Sequence, residues 1–428
     1  MTERLRGCII RLSSCKYSIS RTLRLNSKTP FTLSSKNDFQ ESTKSNTLYA
    51  FLNQLIKTQK LQFVPDPLVN STKIVRLITS QKDIKDDYDP CLNSPETLPL
   101  TYKLKNQEDV SKISRWRKWP TLGFRVGKKL LFLYRESIKT SWILWRQHKN
   151  VDVHEVFRQL ELNNLKQMFP QLSRKKFVHD VLRFREIYKL PKFILCLLLF
   201  EELTFLLIYL RPQLALYRCL GSGAFYKLSK KYSKGDYICK ILWDQSISKQ
   251  NPQREPYNTV YSLTNKDKLR FLQNLIINKQ PRWKLKIWEY FNQTNKLSNE
   301  INTLLKYLIV DDWLTLKRII ESQNSQQDTS INISYNELVN YIMERQLYYA
   351  NEDLNLMVND PIDRQVLINR LICYWSFKFD GINIKNGTID FTNKWGVDNI
   401  NLFYYTGTVN KRDDDKFSLI KREHINYF

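Results

Sequence analysis

The sequence predicts a mainly α-helical protein that is anchored in a membrane by one transmembrane helix. Three observations support this prediction: a long apolar run over residues 193–210, apolar residues at helical spacing in the C-terminal half, and ten glycines of which none stands in a phosphate-binding motif. The last observation disfavours nucleotide-binding α/β folds, whose helices begin at such motifs. The 428 residues, 42% of them hydrophobic, suffice for roughly two or three domains with real cores.

The charge balance points to anionic surroundings. Lysine and arginine number 68 against 42 aspartates and glutamates, which gives a formal net charge of +26. Such an excess suits a phospholipid surface, RNA or the mitochondrial matrix, and charge alone does not choose among them.

No motif indicates catalysis, a metal site or a bound cofactor. The seven cysteines form no CxxC pair, which disfavours a zinc site and a secreted disulfide framework and favours a reducing compartment. His154-Glu155 is followed by Arg158 where an HExxH zinc helix needs its second histidine. We therefore expect no enzymatic activity, no cofactor, no metal and no small-molecule substrate.

Residues 1–30 are predicted to be a mitochondrial transit peptide. They hold seven lysines and arginines against Glu3 alone and are rich in serine and threonine. This composition is typical of mitochondrial targeting, and a disordered basic arm is the alternative. Residues 31–110 then form an N-terminal segment and linker with one short helix, Thr47–Lys57.

Residues 111–240 are predicted to form the membrane region. Residues 111–148 combine tryptophans with lysines and arginines, which fits either a helix at a membrane interface or a buried amphipathic helix with a cationic outer face. As a helix, the apolar run 193–210 spans about 27 Å, close to the ~30 Å thickness of the bilayer core. We therefore predict one transmembrane helix there.

Two adjacent carboxylates, Glu201 and Glu202, lie at the middle of this apolar run. An ionised carboxylate at that depth costs roughly 2.5–3.5 kcal/mol, and adjacent side chains point about 100° apart around a helix. At least one is expected to face a polar cavity, where desolvation favours the protonated form. Both are candidates for handling protons or cations; the alternative is a soluble helix in which the pair caps or binds a basic side chain.

The order of several short motifs resembles the membrane segment of the LETM family of mitochondrial inner-membrane proteins. A basic run at residues 172–176, Leu190-Pro191, Phe200-Glu201-Glu202 and Pro212 follow one another as in that family, and the resemblance covers residues 124–220. It implies a transmembrane motif marked by Pro191, Phe200 and Pro212. It also implies a basic surface, facing lipid or a ribosome, at Arg174, Lys175 and Lys176.

The LETM resemblance also implies a function. It implies that the chain contributes to potassium/proton exchange and mitochondrial volume control, crosses the inner membrane once and keeps its C-terminal half in the matrix. Because a single helix cannot enclose an ion path, the expected partners are inner-membrane lipid and either further copies of the chain or other membrane proteins. The family's matrix domain resembles a ribosome-binding module, so the mitochondrial ribosome is a third expected partner.

Residues 241–380 are predicted to form a helical soluble domain. Apolar residues such as Leu297, Ile301 and Leu308 recur at helical spacing. Helix starts are marked by three capping patterns: Thr264 with Asp267, Ser334 with Glu337, and Asp360 before Pro361. Residues 381–428 are predicted to be irregular or β-prone.

A basic aromatic stretch at residues 282–288 suggests a different function. Its tryptophans suit stacking on bases, and Arg282, Lys284 and Lys286 suit pairing with phosphates of RNA or lipid. The alternative is a helix with an apolar core stripe and a cationic outer face. For the whole chain, the competing function is therefore a basic helical factor of mitochondrial gene expression that binds the ribosome or RNA.

Overall fold

The computed structural model is mainly α-helical: 77% of the residues that it describes are in helices. It describes residues 47–65, 152–161, 189–200, 204–216, 222–233, 263–278, 280–324, 330–383, 388–391, 408–410 and 417–419, and single residues at 131, 134, 135, 138, 139, 141, 142, 145, 146, 174, 177, 178, 220 and 422. The predicted fold class is confirmed at this level. The predicted transit peptide at residues 1–30 lies outside the described residues, and the predicted domain boundaries stay predictions.

The described chain contains the following elements. The helices are α1 (Thr47–Lys57), α2 (Val153–Glu161), α3 (Leu190–Phe200), α4 (Thr204–Leu210), α5 (Ser222–Tyr232), α6 (Asn265–Asn274), α7 (Arg282–Tyr290), α8 (Thr294–Asn324), α9 (Tyr335–Glu344), α10 (Leu354–Asn359) and α11 (Pro361–Lys378). The strands are β1 (Leu61–Val64), β2 (Ile331–Ser334), β3 (Phe379–Asn383), β4 (Thr388–Phe391), β5 (Thr408–Asn410) and β6 (Phe417–Leu419). A 3₁₀ turn, Pro212–Leu214, follows α4.

Helix α8, which is 31 residues long, forms the centre of the core. It packs against α2, α6 and α7, while α9 and α10 pack against α11. The predicted apolar stripe of α8 is buried, with Leu297, Ile301 and Leu308 all at 0% exposure. Burying such side chains gains about 1.5–3 kcal/mol each, so this stripe is a main source of stability.

The capping patterns read from the sequence are confirmed. The hydroxyl of Thr264 accepts a hydrogen bond from the backbone N–H of Asp267 at 3.2 Å, and Ser334 does the same for Glu337 at 3.2 Å. These bonds satisfy backbone donors that the first turn of a helix leaves without an internal partner. Helix α11 begins in the same way, with Asp360 as its N-cap and proline at its first position.

The N-terminal helix and strand complete the C-terminal core. Strand β1 pairs in parallel with β2, with Leu61 opposite Ile331, and α1 packs against α11 and β3. Leu48 and Leu52 of α1 are fully buried. The short helix predicted at Thr47–Lys57 is thus present, and it belongs to the core rather than to a linker. The other strands form antiparallel pairs, β3 with β4 and β5 with β6, in the C-terminal region.

Six ionisable side chains form an ion-pair network inside this core. Each is at most 5% exposed. The members are three cations, Arg174, Arg345 and Lys378, and three carboxylates, Asp311, Asp312 and Glu337. At the edge of the network, Glu344 adds a longer contact of 3.8 Å to Arg345. Buried charges require such pairing because desolvation of a lone charge is very costly.

Two adjacent aspartates of α8 hold the network together. Arg345 donates from Nη2 to Asp311 Oδ2 at 2.6 Å and from Nε to Asp312 Oδ1 at 2.8 Å. Arg174 donates from Nε to Asp311 Oδ1 at 2.6 Å and from Nη2 to Glu337 Oε1 at 2.5 Å. Burial alone would raise the pKa of Asp311, but the two guanidinium groups hold it below its ordinary value.

Helix α11 contributes the remaining donors. Trp375 donates from Nε1 to Asp312 Oδ1 at 2.8 Å, and Lys378 donates from Nζ to Asp312 Oδ2 at 3.3 Å. The guanidinium of Arg345 also lies over the ring of Tyr341, 4.5 Å from its centroid. The network therefore joins α8, α9 and α11 to the segment that carries Arg174.

Stability is expected to depend on pH through Lys378. Burial lowers the pKa of its ammonium group to about 8, from an ordinary value of 10.5, although Asp312 opposes the shift. Between pH 8 and pH 10.5 the unfolded chain therefore binds more protons than the folded chain, so the stability contributed by this site rises with pH in that window. We expect the melting temperature of the wild type to rise relative to that of Lys378→Met above about pH 8.

This comparison uses thermal unfolding at a series of pH values. The groups that face the ammonium are present in both proteins; they are Asp311, Asp312, Arg345 and Tyr374. Lys296→Met, which removes an exposed lysine of α8, is the matched control and should follow the wild-type profile. A constant difference between wild type and Lys378→Met across this range contradicts the prediction.

Candidate membrane interface

The described residues of the apolar segment at 193–210 lie in two short helices, α3 and α4, so the structure does not show the predicted single transmembrane helix. Thr204 Oγ1 lies 3.4 Å from the carbonyl oxygen of Cys196. Residues eight apart in one straight helix are separated by about 12 Å, so α3 and α4 do not form one straight helix. The two helices are in contact and are together called the α3–α4 hairpin below. Of the helices in the described ranges, none is both long enough and apolar enough to cross a membrane.

This α3–α4 hairpin exposes large apolar side chains. Leu198 and Leu199 are 68% and 67% exposed, and Leu210 is 61% exposed. The other exposed apolar residues of the hairpin are Leu195, Phe200, Leu206 and Tyr209. A soluble monomer seldom exposes so many large apolar side chains together, which marks this surface for contact with a lipid or a protein.

The hairpin is held to the protein by its other face. Leu190, Phe193 and Ile208 are buried. The ring of Phe193 meets that of Tyr134 edge-on at 5.5 Å between centroids. The exposed leucines therefore lie on helices whose other face is packed against the rest of the protein.

The structure places the predicted motif residues of this segment apart from one another. Pro191 is exposed in the first turn of α3, Phe200 is exposed at the end of that helix, and Pro212 is buried in the 3₁₀ turn. Glu201 and Glu202 lie outside the described residues. The three motif residues thus form no common site.

Helix α5 adds lysines beside the hairpin. Lys227 donates from Nζ to the carbonyl oxygen of Tyr209 at 3.3 Å, and its ammonium lies 3.5 Å from the centroid of the Tyr209 ring. Lys230 and Lys231 follow on the same helix and are exposed. Lys192 and Arg211, at the two ends of the hairpin, are exposed as well. An exposed apolar surface with basic residues around it is typical of proteins that bind anionic membranes.

A third element carries tryptophans next to cations. The described residues between 131 and 146 are helical, with Tyr134 and Ser141 buried. Trp142 and Trp145 are exposed, with ring centroids 5.2 Å apart. Arg135, Lys139 and Arg146 are exposed on the same element. One face of this element packs on the hairpin, through Tyr134, and the other presents tryptophans and cations, so its position at a membrane interface stays a prediction.

The basic residues predicted to face lipid or a ribosome divide into three groups. Arg174 is buried in the ion-pair network, so its predicted surface role is wrong: its charge is already matched by Asp311 and Glu337. Lys175 and Lys176 lie outside the described residues. Arg282, Lys284 and Lys286 are at the surface or half-buried on α7.

Sequence reasoning missed the lysines of α5. Their signal is the run Lys227-Leu228-Ser229-Lys230-Lys231, which follows the apolar segment closely in the chain. Its meaning becomes clear only when α5 packs beside α4. Within the described ranges, no group of histidine, cysteine, aspartate and glutamate side chains is arranged to hold a metal ion.

Comparison with known proteins identifies the family. Residues 92–320 match the model of the pentamidine resistance factor domain. The chain is 30% identical over 398 residues to the protein named "Pentamidine resistance factor, mitochondrial" of Saccharomyces cerevisiae, with 84% of this chain and 90% of that protein covered. No solved structure gives a significant match. The name of the yeast relative places it in mitochondria, which supports the predicted mitochondrial location.

These matches overturn the LETM resemblance. The matched family covers the same residues, 124–220, on which the resemblance rested, and no LETM match is found. Potassium/proton exchange was implied by that resemblance, and nothing in the matches points to it, so that prediction is wrong. The competing function, a ribosome- or RNA-binding factor of gene expression, has no support in these matches. With over half of its length matched by the family model and a full-length relative at 30% identity, the chain belongs to the pentamidine resistance factor family.

Proposed function

We propose that this chain is a mitochondrial membrane-attached protein, without catalytic activity, that inserts the α3–α4 hairpin into one leaflet of the inner membrane. The single observation that carries the proposal is the exposed apolar surface of the hairpin, with lysines and arginines around it. The hairpin is too short to cross the bilayer, since the eleven residues of α3 extend about 16 Å.

The energetics favour such attachment. Each leucine that moves from water into the acyl region gains roughly 1 kcal/mol or more, and the hairpin presents several. Each lysine or arginine near an anionic surface adds about 1 kcal/mol. Together these contributions favour attachment without a spanning helix, provided that Glu201 and Glu202 stay at headgroup level or are protonated.

The biological role follows from the family. The yeast relative is named for resistance to pentamidine. We propose that this chain likewise lowers the sensitivity of its cells to pentamidine, and that it does so from the membrane. Deleting the gene should increase growth inhibition by pentamidine, and restoring the wild-type chain should reverse this effect.

Membrane attachment is tested with purified protein and vesicles of phosphatidylcholine and phosphatidylglycerol. Replacing an exposed leucine of the hairpin, in Leu198→Glu, places a charge in the inserted surface, so the fraction that floats with vesicles should fall at least about tenfold. The matched control is Ile362→Glu on α11, where an exposed apolar residue lies outside the hairpin. Equal flotation of Leu198→Glu and wild type would show that the hairpin does not insert.

A further inference from the structure

Helix α7 carries an exposed apolar stripe of its own. Trp283 is 64% exposed, Tyr290 is 79% exposed, and Ile287 lies between them at 43%. Phe291, which follows the helix, is 65% exposed and meets Tyr290 edge-on at 5.2 Å between ring centroids. These four residues are called the α7 stripe below.

The α7 stripe does not belong to the core. At about 100° per residue, Trp283, Ile287 and Tyr290 fall within about 60° of one another around the helix. The opposite face is the one that packs, through buried Leu285 and half-buried Trp288. Of the two alternatives for residues 282–288, the packed apolar stripe is present at Leu285 and Trp288, and the outer side carries aromatic rings as well as cations.

Lysines of α5 connect the α7 stripe with the hairpin. At the start of α5, Gly223 lies against the ring of Tyr209, and Lys227 covers the same ring. At the end of α5, partial burial and then the nearby positive charge of Arg282 lower the pKa of Lys231. Lys227, Lys230 and Lys231 thus follow one another along α5, from the ring of Tyr209 at one end to a position that feels the charge of Arg282 at the other.

We propose that the α7 stripe is a second contact with the same bilayer, lying at headgroup depth, and that the cations between the stripe and the hairpin bind anionic phospholipid headgroups. This inference rests on the proposed attachment of the hairpin. Tryptophan and tyrosine favour the headgroup region, and a helix with apolar residues on one side and lysines or arginines next to them lies in the plane of the interface. Two contacts also fix how the protein is oriented on the membrane.

The composition of the stripe favours lipid over RNA. Single-stranded RNA is held by aromatic rings that stack on successive bases. Here Ile287 occupies the centre of the stripe, between Trp283 and Tyr290, and an aliphatic side chain offers no stacking surface. The cations Arg282, Lys230 and Lys231 can bind a phosphate of RNA or of a lipid headgroup, so the experiment has to distinguish these two ligands.

The test compares the wild type with three variants on two kinds of vesicle, phosphatidylcholine alone and an equimolar mixture with phosphatidylglycerol. In the triple variant Trp283→Ser/Ile287→Ser/Tyr290→Ser, affinity for the mixed vesicles should fall about tenfold or more while hairpin-dependent flotation persists. In Lys230→Gln/Lys231→Gln, the preference for mixed over neutral vesicles should fall roughly tenfold, since each cation contributes about 1 kcal/mol. Ile362→Ser controls for loss of an exposed apolar residue elsewhere.

The outcomes separate the two proposals. Wild type that binds neither vesicle overturns both. If the wild type binds vesicles and the triple variant binds them with equal affinity, the proposed hairpin attachment stands and the proposed second contact is overturned.

Tryptophan emission provides an independent readout of the same contact. Phosphatidylcholine brominated on the acyl carbons nearest the headgroup should quench wild-type emission more strongly than that of Trp283→Phe, because Trp283 would then lie close to the bromines. If oligouridylate quenches the Trp283 signal and brominated lipid does not, the stripe is an RNA contact and the proposal is wrong.

Discussion

Arg345→Met is expected to lower the free energy of unfolding by about 3–5 kcal/mol, the usual effect of removing one partner from a buried ion pair. The guanidinium of Arg345 is fully buried and bonds both Asp311 and Asp312. Without it, two adjacent carboxylates remain in the core with two cations instead of three in the network. Methionine fills most of the space of the arginine side chain but has no positive charge to balance the carboxylates. Urea unfolding followed by circular dichroism measures the loss.

The control for this experiment is Arg270→Met. Arg270 is an exposed residue of α6, and substitutions at such positions usually change stability by no more than about 0.5 kcal/mol. An Arg345→Met protein as stable as the wild type would show that the network is not formed as described. A double variant, Arg345→Met with Asp312→Asn, should recover part of the loss, because it also removes a negative charge that Arg345 no longer balances.

Arg174→Met is expected to cost about 3 kcal/mol or more for the same reason. This arginine comes from a segment far from its partners in the chain, 137 residues from Asp311 and 163 from Glu337. The vesicle affinity of the folded variant should equal that of the wild type, because the guanidinium does not reach the surface. Urea unfolding and vesicle flotation on the same preparation test both statements.

The matched control is Arg158→Met. Arg158 pairs with Glu155 on the surface at 2.7 Å, with its side chain 60% exposed. Surface pairs of this kind contribute about 0–1 kcal/mol. If Arg174→Met loses vesicle binding without losing stability, then Arg174 faces lipid after all and its burial in the network is contradicted.

Local features of the fold could be read from the sequence because their causes are local. The caps at Thr264 and Ser334 depend on a hydroxyl and a backbone N–H three residues later, and the stripe of α8 depends on helical spacing. Both kinds of signal lie within one short stretch of chain. The helix at Thr47–Lys57 was predicted for the same reason, although its packing against α11 was not.

The structure of the apolar segment could not be predicted from length and hydropathy. Its eighteen residues, 193–210, fit one spanning helix or two short helices equally well, and the approach of Thr204 to Cys196 distinguishes them. The polar pair Glu201-Glu202 was the sequence feature that disagreed with a spanning helix. The LETM resemblance was wrong as well, because prolines and basic runs are common at the ends of many apolar helices and do not identify one family.

The buried ion-pair network also could not be predicted from one sequence. Asp311-Asp312 stands out in the apolar run of α8, which indicates that partners exist. Arg345 lies 33 residues from Asp312 in the chain, and Arg174 lies 137 residues from Asp311. One sequence does not show which cations pair with these aspartates. A contact of this kind is fixed by tertiary packing alone.

The parallel pairing of β1 with β2 has a consequence for how this chain reaches its native state. Leu61 pairs with Ile331, 270 residues later (331 − 61), and synthesis proceeds from the N-terminus. The first helix of the core therefore emerges long before the surface that covers Leu48 and Leu52 exists. Until then, its apolar face must be shielded by a chaperone or by transient contacts. Any proteolytic trimming of the N-terminus must likewise stop before Thr47, since a later cut would remove part of the finished core.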